Sequence, residues 1–155
     1  MRLCARRLAV FSMFIGEYSY SIDDKKRLAI PQKLRQLLGK KVVITKGLDQ
    51  CLFLFPVKQW GILAKKLSQL PLSQSDARGF GRMTLAGAME ANVDTLGRIL
   101  IPDYLKEYAY LKKKVIIAGI YNRIEIWDEV KWGEYRDKTE KEVGDIAERL
   151  KELGI

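Results

Sequence analysis

The chain repeats itself. Ile22-Asp23-Asp24-Lys25-Lys26-Arg27-Leu28-Ala29-Ile30-Pro31 returns 71 residues later as Val93-Asp94-Thr95-Leu96-Gly97-Arg98-Ile99-Leu100-Ile101-Pro102, with Asp, Arg, Ile and Pro unchanged. After a shift of one residue the match continues: Val43 to Leu48 aligns with Val115 to Ile120, Leu52 to Phe55 with Ile124 to Trp127, and Trp60 with Trp132. Such a chain must place two copies of one supersecondary unit. Neither copy is long enough to bury a sizeable core alone, so the two are expected to share one across a pseudo-two-fold axis.

Each unit reads as β-β-α-β-β: a strand ending at the Asp, a polar loop, a short apolar strand, then Pro opening a helix. The helices begin at Pro31 and Pro102 and carry apolar residues at helical spacing. Val42 to Thr45 with Leu52 to Phe55, and Val115 to Ala118 with Ile124 to Trp127, read as hairpins. The fold class expected is α+β, a tandem repeat closing into one pseudo-symmetric, β-barrel-like core with flanking helices. The first unit is expected over 13–60 and the second over 92–132. Between them, over 61–91, Leu63, Ala64, Leu67 and Leu70 continue a helical spacing begun at Val57 and Trp60 and stopped by Pro71; a further helix is expected from the Ser73-Gln74-Ser75-Asp76 caps to about Ala91. Over 133–155, Val143, Ile146, Leu150 and Leu153 mark a C-terminal amphipathic helix.

Residues 1–12 have a basic start and a short apolar run, as a secretory signal would, but no Ala-x-Ala-like cleavage site follows. They read as an extension, with the protein proper starting at Met13. No apolar window reaches the ~18 to 20 residues of a membrane span.

Charge and residue usage narrow the function. Twenty-eight Lys and Arg against 19 Asp and Glu leave +9, which asks for an anionic partner. The excess is uneven: residues 13–82 hold 13 cations against 5 acids, residues 83–155 hold 12 against 14. Histidine is absent, which removes Ser-His-Asp and Cys-His relays and every His-containing metal site. Cys4 and Cys51 form no CxxC pair, and Cys51 in the run Cys51-Leu52-Phe53-Leu54-Phe55 reads as a buried strand residue of a cytoplasmic chain. No cofactor, metal or small-molecule substrate is expected.

The repeated Asp-x3-Arg carries the chemistry. The first loop puts Lys25, Lys26 and Arg27 at one tip, with Lys33 and Arg35 on the helix behind, a set able to track a phosphate backbone or simply to solvate a turn. Asp23 and Asp94 can each orient the Arg four residues on, leaving part of its guanidinium fork free for a guanine edge. Equally, Asp23 to Arg27 and Asp94 to Arg98 can be salt bridges that stitch each hairpin. Chemistry alone leaves both open.

Met13-Phe14-Ile15-Gly16-Glu17-Tyr18, the Asp-x3-Arg-apolar-apolar-Ile-Pro box in both halves, and Ile124-Glu125-Ile126-Trp127 before Trp132 resemble the MraZ family, a two-copy member of the SpoVT/AbrB-like swapped-hairpin group. The resemblance runs from Met13 nearly to the C-terminus. It implies nucleoid-associated bacterial transcription regulators that bind short direct repeats in double-stranded DNA upstream of the division and cell-wall gene cluster, their own gene included, as ring-shaped homo-oligomers. It makes Lys25, Arg27 and Arg98 the DNA-contacting residues and Asp23 and Asp94 their orienters. Two positions depart: Lys26 stands where the first box usually has Gly, and Leu96 where a polar or basic residue would help.

Three other readings compete with this one. AbrB-like folds also serve as protein-interaction or antitoxin modules, in which the basic loops would meet an acidic protein. An enzyme using Asp23 and Asp24 as metal ligands or as acid and base lacks a second acid after Asp94 and any histidine. RNA binding would need Tyr18 and Tyr20 on an open strand face.

Overall fold

The computed structural model describes residues 13–155; the reading of residues 1–12 as an extension lies outside them. The first unit comprises β1 (Phe14–Ser21), β2 (Arg27–Ala29), α1 (Gln32–Leu38), β3 (Lys41–Lys46) and β4 (Leu52–Pro56). Helix α2 (Val57–Ser68) and α3 (Ser75–Gly81), which runs into a π-helical turn at Arg82–Ala86, connect it to the second. That unit holds β5 (Met89–Asn92), β6 (Arg98–Leu100), α4 (Asp103–Tyr108), β7 (Lys114–Tyr121) and β8 (Arg123–Asp128), followed by α5 (Glu129–Arg149) and a 3-10 turn at Lys151–Leu153.

The units interleave. Six strands form an antiparallel sheet in the order β1-β7-β8-β4-β3-β5, so the first strand of each unit pairs with the hairpin of the other. Exchanging each strand for its repeat partner reproduces that order from the opposite end. The short strands β2 and β6 pair only with each other, as an antiparallel ribbon in which Leu28 faces Ile99. Both are fully buried, as are Ile30 and Ile101 one step on. One core therefore fills the space between ribbon and sheet, with Val42, Ile44, Leu52 and Leu54 answering Val115, Ile117, Ile124 and Ile126. Leu34 of α1 and Leu105 of α4 are buried at equivalent places in it. Short apolar runs mark these strands in the sequence, and the shared core is what either unit alone would lack.

Three expectations are corrected. The sheet does not close into a barrel: β1 and β5 remain at its two edges, because each unit leaves the sheet, at Ile22 and at Val93, and turns into the ribbon instead of pairing with the opposite edge. The helix expected to reach Ala91 ends earlier. Past the π-helical turn, Met89 and Ala91 are half-buried while Glu90 and Asn92 are exposed, the period-2 pattern of a strand, and Met89 to Asn92 pair with β3. The repeat also aligns differently in β3: Val42, not Val43, is the counterpart of Val115, since Lys40 and Lys113 hold the same place, accepting from Val93 and Ile22 through their carbonyls. A longer connection after α4 and a shorter turn between β7 and β8 replace the single shift.

The opposite face of the sheet carries a smaller cluster of Cys51, Ile116 and Trp127, with Phe53 and Trp132 against it. Here the helices after each unit dock by equivalent aromatic pairs, Phe55 with Trp60 at 5.8 Å and Trp127 with Trp132 at 5.3 Å between ring centroids. Cys51 is buried just before β4 as a free thiol, and burial pushes its pKa far up, so it is inert. Beyond these anchors the helices are thinly covered: Leu67 is the only buried residue of α2, and α5 has none over 21 residues.

Candidate nucleic-acid interface

The two Asp-x3-Arg loops are built alike, bond for bond. In the first, Asp23 Oδ1 accepts from the N–H groups of Lys25 and Arg27, both at 2.9 Å, and Oδ2 accepts from Arg27 Nε at 2.9 Å. In the second, Asp94 Oδ1 accepts from Leu96 at 2.9 Å and from Arg98 at 2.8 Å, and Oδ2 from Arg98 Nε at 2.9 Å. The N–H of residue four, Lys26 or Gly97, donates to the Asp carbonyl and closes each turn. One geometry is compatible with both open readings of the pair. The carboxylate stitches the hairpin, and it does so through Nε, leaving the Nη groups of Arg27 without an acceptor among the described residues.

The ribbon sets these loops side by side. Ile101 donates to the Lys26 carbonyl at 2.8 Å and Ile30 to that of Gly97 at 2.9 Å. Arg98 Nη1 consequently lies 4.0 Å from Asp23 Oδ2, bridging one loop to the other. The side chains of Arg27 and Arg98 keep 32% and 25% of their surface exposed, enough for contact but held by their partners.

The remaining predicted cations divide. Lys25 is exposed at the tip and Lys33 exposed on α1, and neither has an ion pair among the described residues. Lys26 Nζ instead reaches across to Asp103 Oδ2 in the other unit, at 2.7 Å. Arg35 is a clamp, its Nε donating to the Ile30 carbonyl at 3.0 Å and its Nη1 to the Leu96 carbonyl at 3.4 Å. Asp103 was not foreseen, yet the repeat contains its signal. Its counterpart in the first unit is Gln32, and the counterpart of Lys26 is Gly97, so the acid appears in the one place where the extra cation can use it.

The fourth position of each turn requires a left-handed backbone. Gly97 has φ +76° and Lys26 φ +62°. A Cβ on Gly97 would also run into the Arg35 guanidinium. Gly97→Ala is expected to lower the unfolding free energy by about 2 kcal/mol, the left-handed penalty plus the displaced clamp, as read from the urea midpoint. Relief of part of that loss in Gly97→Ala/Arg35→Ala would confirm the clamp; equal loss in both would deny it.

The carboxylates are held below their ordinary pKa. For Asp23 the main cause is the Arg27 N–H, for Asp94 that of Arg98, and for Asp103 the Lys26 ammonium. A folded-state pKa below the unfolded one means the unfolded chain binds more protons. The stabilisation is therefore complete above the ordinary carboxylate value of roughly 3.9 and disappears as pH falls through the folded values. Urea midpoints should fall steadily below about pH 4, and Asp23→Asn/Asp94→Asn should flatten that fall; an unchanged acid slope would remove these groups from the account.

Among the described residues no group of His, Cys, Asp or Glu could hold a metal ion, and Asp23 spends both oxygens on N–H donors. Tyr18 and Tyr20 pack partly into the core rather than standing open for base stacking. No helix among the described residues is long and apolar enough to cross a membrane.

A family model described as "MraZ protein, putative antitoxin-like" matches residues 13–83 and again 84–153. The chain belongs to the MraZ family. Two matched copies bear out the internal repeat. Among MraZ relatives, proteins named transcriptional regulator MraZ from Alkaliphilus metalliredigens and Halothermothrix orenii are each 48% identical over 143 residues, and one from Caldicellulosiruptor saccharolyticus is 49% identical over the same length. In each case the match covers 92% of this chain and all of the relative.

Proposed function

We propose that this chain is a sequence-specific, double-stranded-DNA-binding transcription regulator, acting as a repressor on short tandem repeats upstream of the division and cell-wall gene cluster that includes its own gene. The observation that carries the reading is the pair of matching Asp-held arginine loops fixed side by side, with the Nη donors of Arg27 unspent. An arginine so oriented suits the O6 and N7 of guanine, while Lys25 and Lys33 suit phosphates. The relatives' printed name supports regulation, and the family resemblance supplies the repeats, the gene cluster and a cytoplasmic, nucleoid-associated setting.

A ring-shaped homo-oligomer belongs to the same reading. Helices α2 and α3 and the π-helical turn expose Val57, Ile62, Phe80 and Met83, beside a cleft of about 760 Å³ lined by Phe53, Phe55 and Tyr108. Helix α5 exposes Val130, Tyr135 and Val143. Lys58, Lys65, Lys66, Arg78 and Arg82 make the first face basic, and seven acids against five cations make α5 acidic. Unlike faces of opposite charge favour head-to-tail contact, which generates rings, and a ring presents many weak loops to repeated boxes at high effective concentration.

Fluorescence anisotropy on the DNA upstream of the gene and on a scrambled copy, over a salt series, tests the reading. Preference for the upstream DNA near physiological salt is expected. Equal, salt-labile binding would reduce it to bulk electrostatics. No binding would favour the protein-interaction module that the family's antitoxin-like description suggests.

A further inference from the structure

Leu96 combines a hydrogen-bonded backbone with an exposed side chain. Its N–H donates to Asp94 Oδ1 at 2.9 Å and its carbonyl accepts from Arg35 Nη1 at 3.4 Å, so its backbone is tied from both sides. The side chain is nevertheless 63% exposed. A single exposed leucine is ordinary. This one occupies the position that Lys25 holds in the other loop, with the same N–H to carboxylate bond. Two loops of one geometry therefore present a cation at one tip and a branched apolar group at the other, two residues from the held Arg98.

We propose that Leu96 is a specificity-determining residue that packs on the C5-methyl of a thymine, next to the base read by Arg98. This rests on the DNA-binding reading above and names what the second loop recognises. The chemistry fits. The thymine methyl is the only apolar group a base pair shows in the major groove, and an apolar side chain is what discriminates it. A lysine tip, as in the first loop, would contact phosphate without regard to sequence. The absence of a second cation at residue 96 is then a gain in reading rather than a gap in charge.

The test replaces thymines of the upstream DNA one at a time with deoxyuridine, which removes the methyl and keeps every hydrogen bond, and measures binding by the full chain and by Leu96→Ala. The full chain is expected to lose about fourfold in affinity at one thymine in each box, the worth of one methyl taken out of water. Leu96→Ala should bind the unmodified DNA about fourfold more weakly and be indifferent to that substitution. Leu96→Lys should bind upstream and scrambled DNA alike more tightly, with a steeper salt slope and no methyl dependence. Equal losses in the full chain and in Leu96→Ala at the same thymine would assign the methyl to another residue and overturn the proposal. So would upstream preference without methyl dependence, which leaves DNA reading intact. A changed sedimentation coefficient in Leu96→Ala would make the residue a subunit contact and overturn it too. No preference for upstream over scrambled DNA would remove this inference together with the reading it rests on.

Discussion

Arg27→Ala is expected to lower the ratio of upstream to scrambled DNA affinity by about 5- to 150-fold, the range of 1–3 kcal/mol for a bidentate contact with guanine. The fold should survive the change. Asp23 keeps the N–H groups of Lys25 and Arg27 as donors, and those bonds, with the Lys26 closure, define the turn. What disappears is the guanidinium, whose Nε is committed to Asp23 and whose outer nitrogens are not. Lys25→Ala supplies the contrast: both DNAs should be bound more weakly and the salt slope should drop by about one. On the proposed ring several loops would act together, and the loss seen for the assembly would then exceed that for one contact. If Arg27→Ala weakens both DNAs equally, Arg27 is a phosphate contact and sequence reading must be sought at Arg98.

The features that make this experiment possible were unequally visible beforehand. The Asp-x3-Arg repeat, the helices opened by Pro31 and Pro102 and the β3-β4 and β7-β8 hairpins rest on local spacing, and local spacing is what a sequence displays. Strand β5 does not: four residues of alternation after Gly87 are too few to outweigh the helical start at Ser75, and only pairing with β3 makes Met89 to Asn92 a strand. The alignment of β3 failed for a related reason. Val42, Val43 and Ile44 are all apolar and all buried, so a one-residue slip leaves the pattern unchanged, and the hydrogen-bond register alone decides. Cross-unit contacts carry no local signal. Lys26 with Asp103 and Arg35 with the Leu96 carbonyl join residues far apart in the chain, and they turn two cations grouped with the DNA-facing set into ties between the units.

Leu28→Ala tests whether those ties depend on the ribbon. Leu28 faces Ile99 where β2 and β6 cross the pseudo-two-fold axis, and both are fully buried. Truncation removes the apolar contact and leaves a cavity that cannot collapse, since the pseudo-symmetric partner approaches from the other side. A loss of about 3 kcal/mol is expected, from a range of 2–5 for such sites, read as a lower urea midpoint at unchanged slope. That is a large share of the total stability of about 5–15 kcal/mol for a domain. Ile99→Ala should cost a similar amount and the double variant less than the sum, because the residues share one cavity. Stability alone would not separate this site from any other core position, so Ile117→Ala is the control. It lies in the same core but on the six-stranded sheet, and its folded fraction should keep full DNA discrimination. Leu28→Ala should lose discrimination even where folded, since Lys26 and Arg27 lead directly into Leu28 and Ile101 bonds to the Lys26 carbonyl. Undiminished discrimination in the folded Leu28→Ala protein would mean that each loop is set by its own Asp, and that the ribbon contributes stability but not the spacing of the arginines.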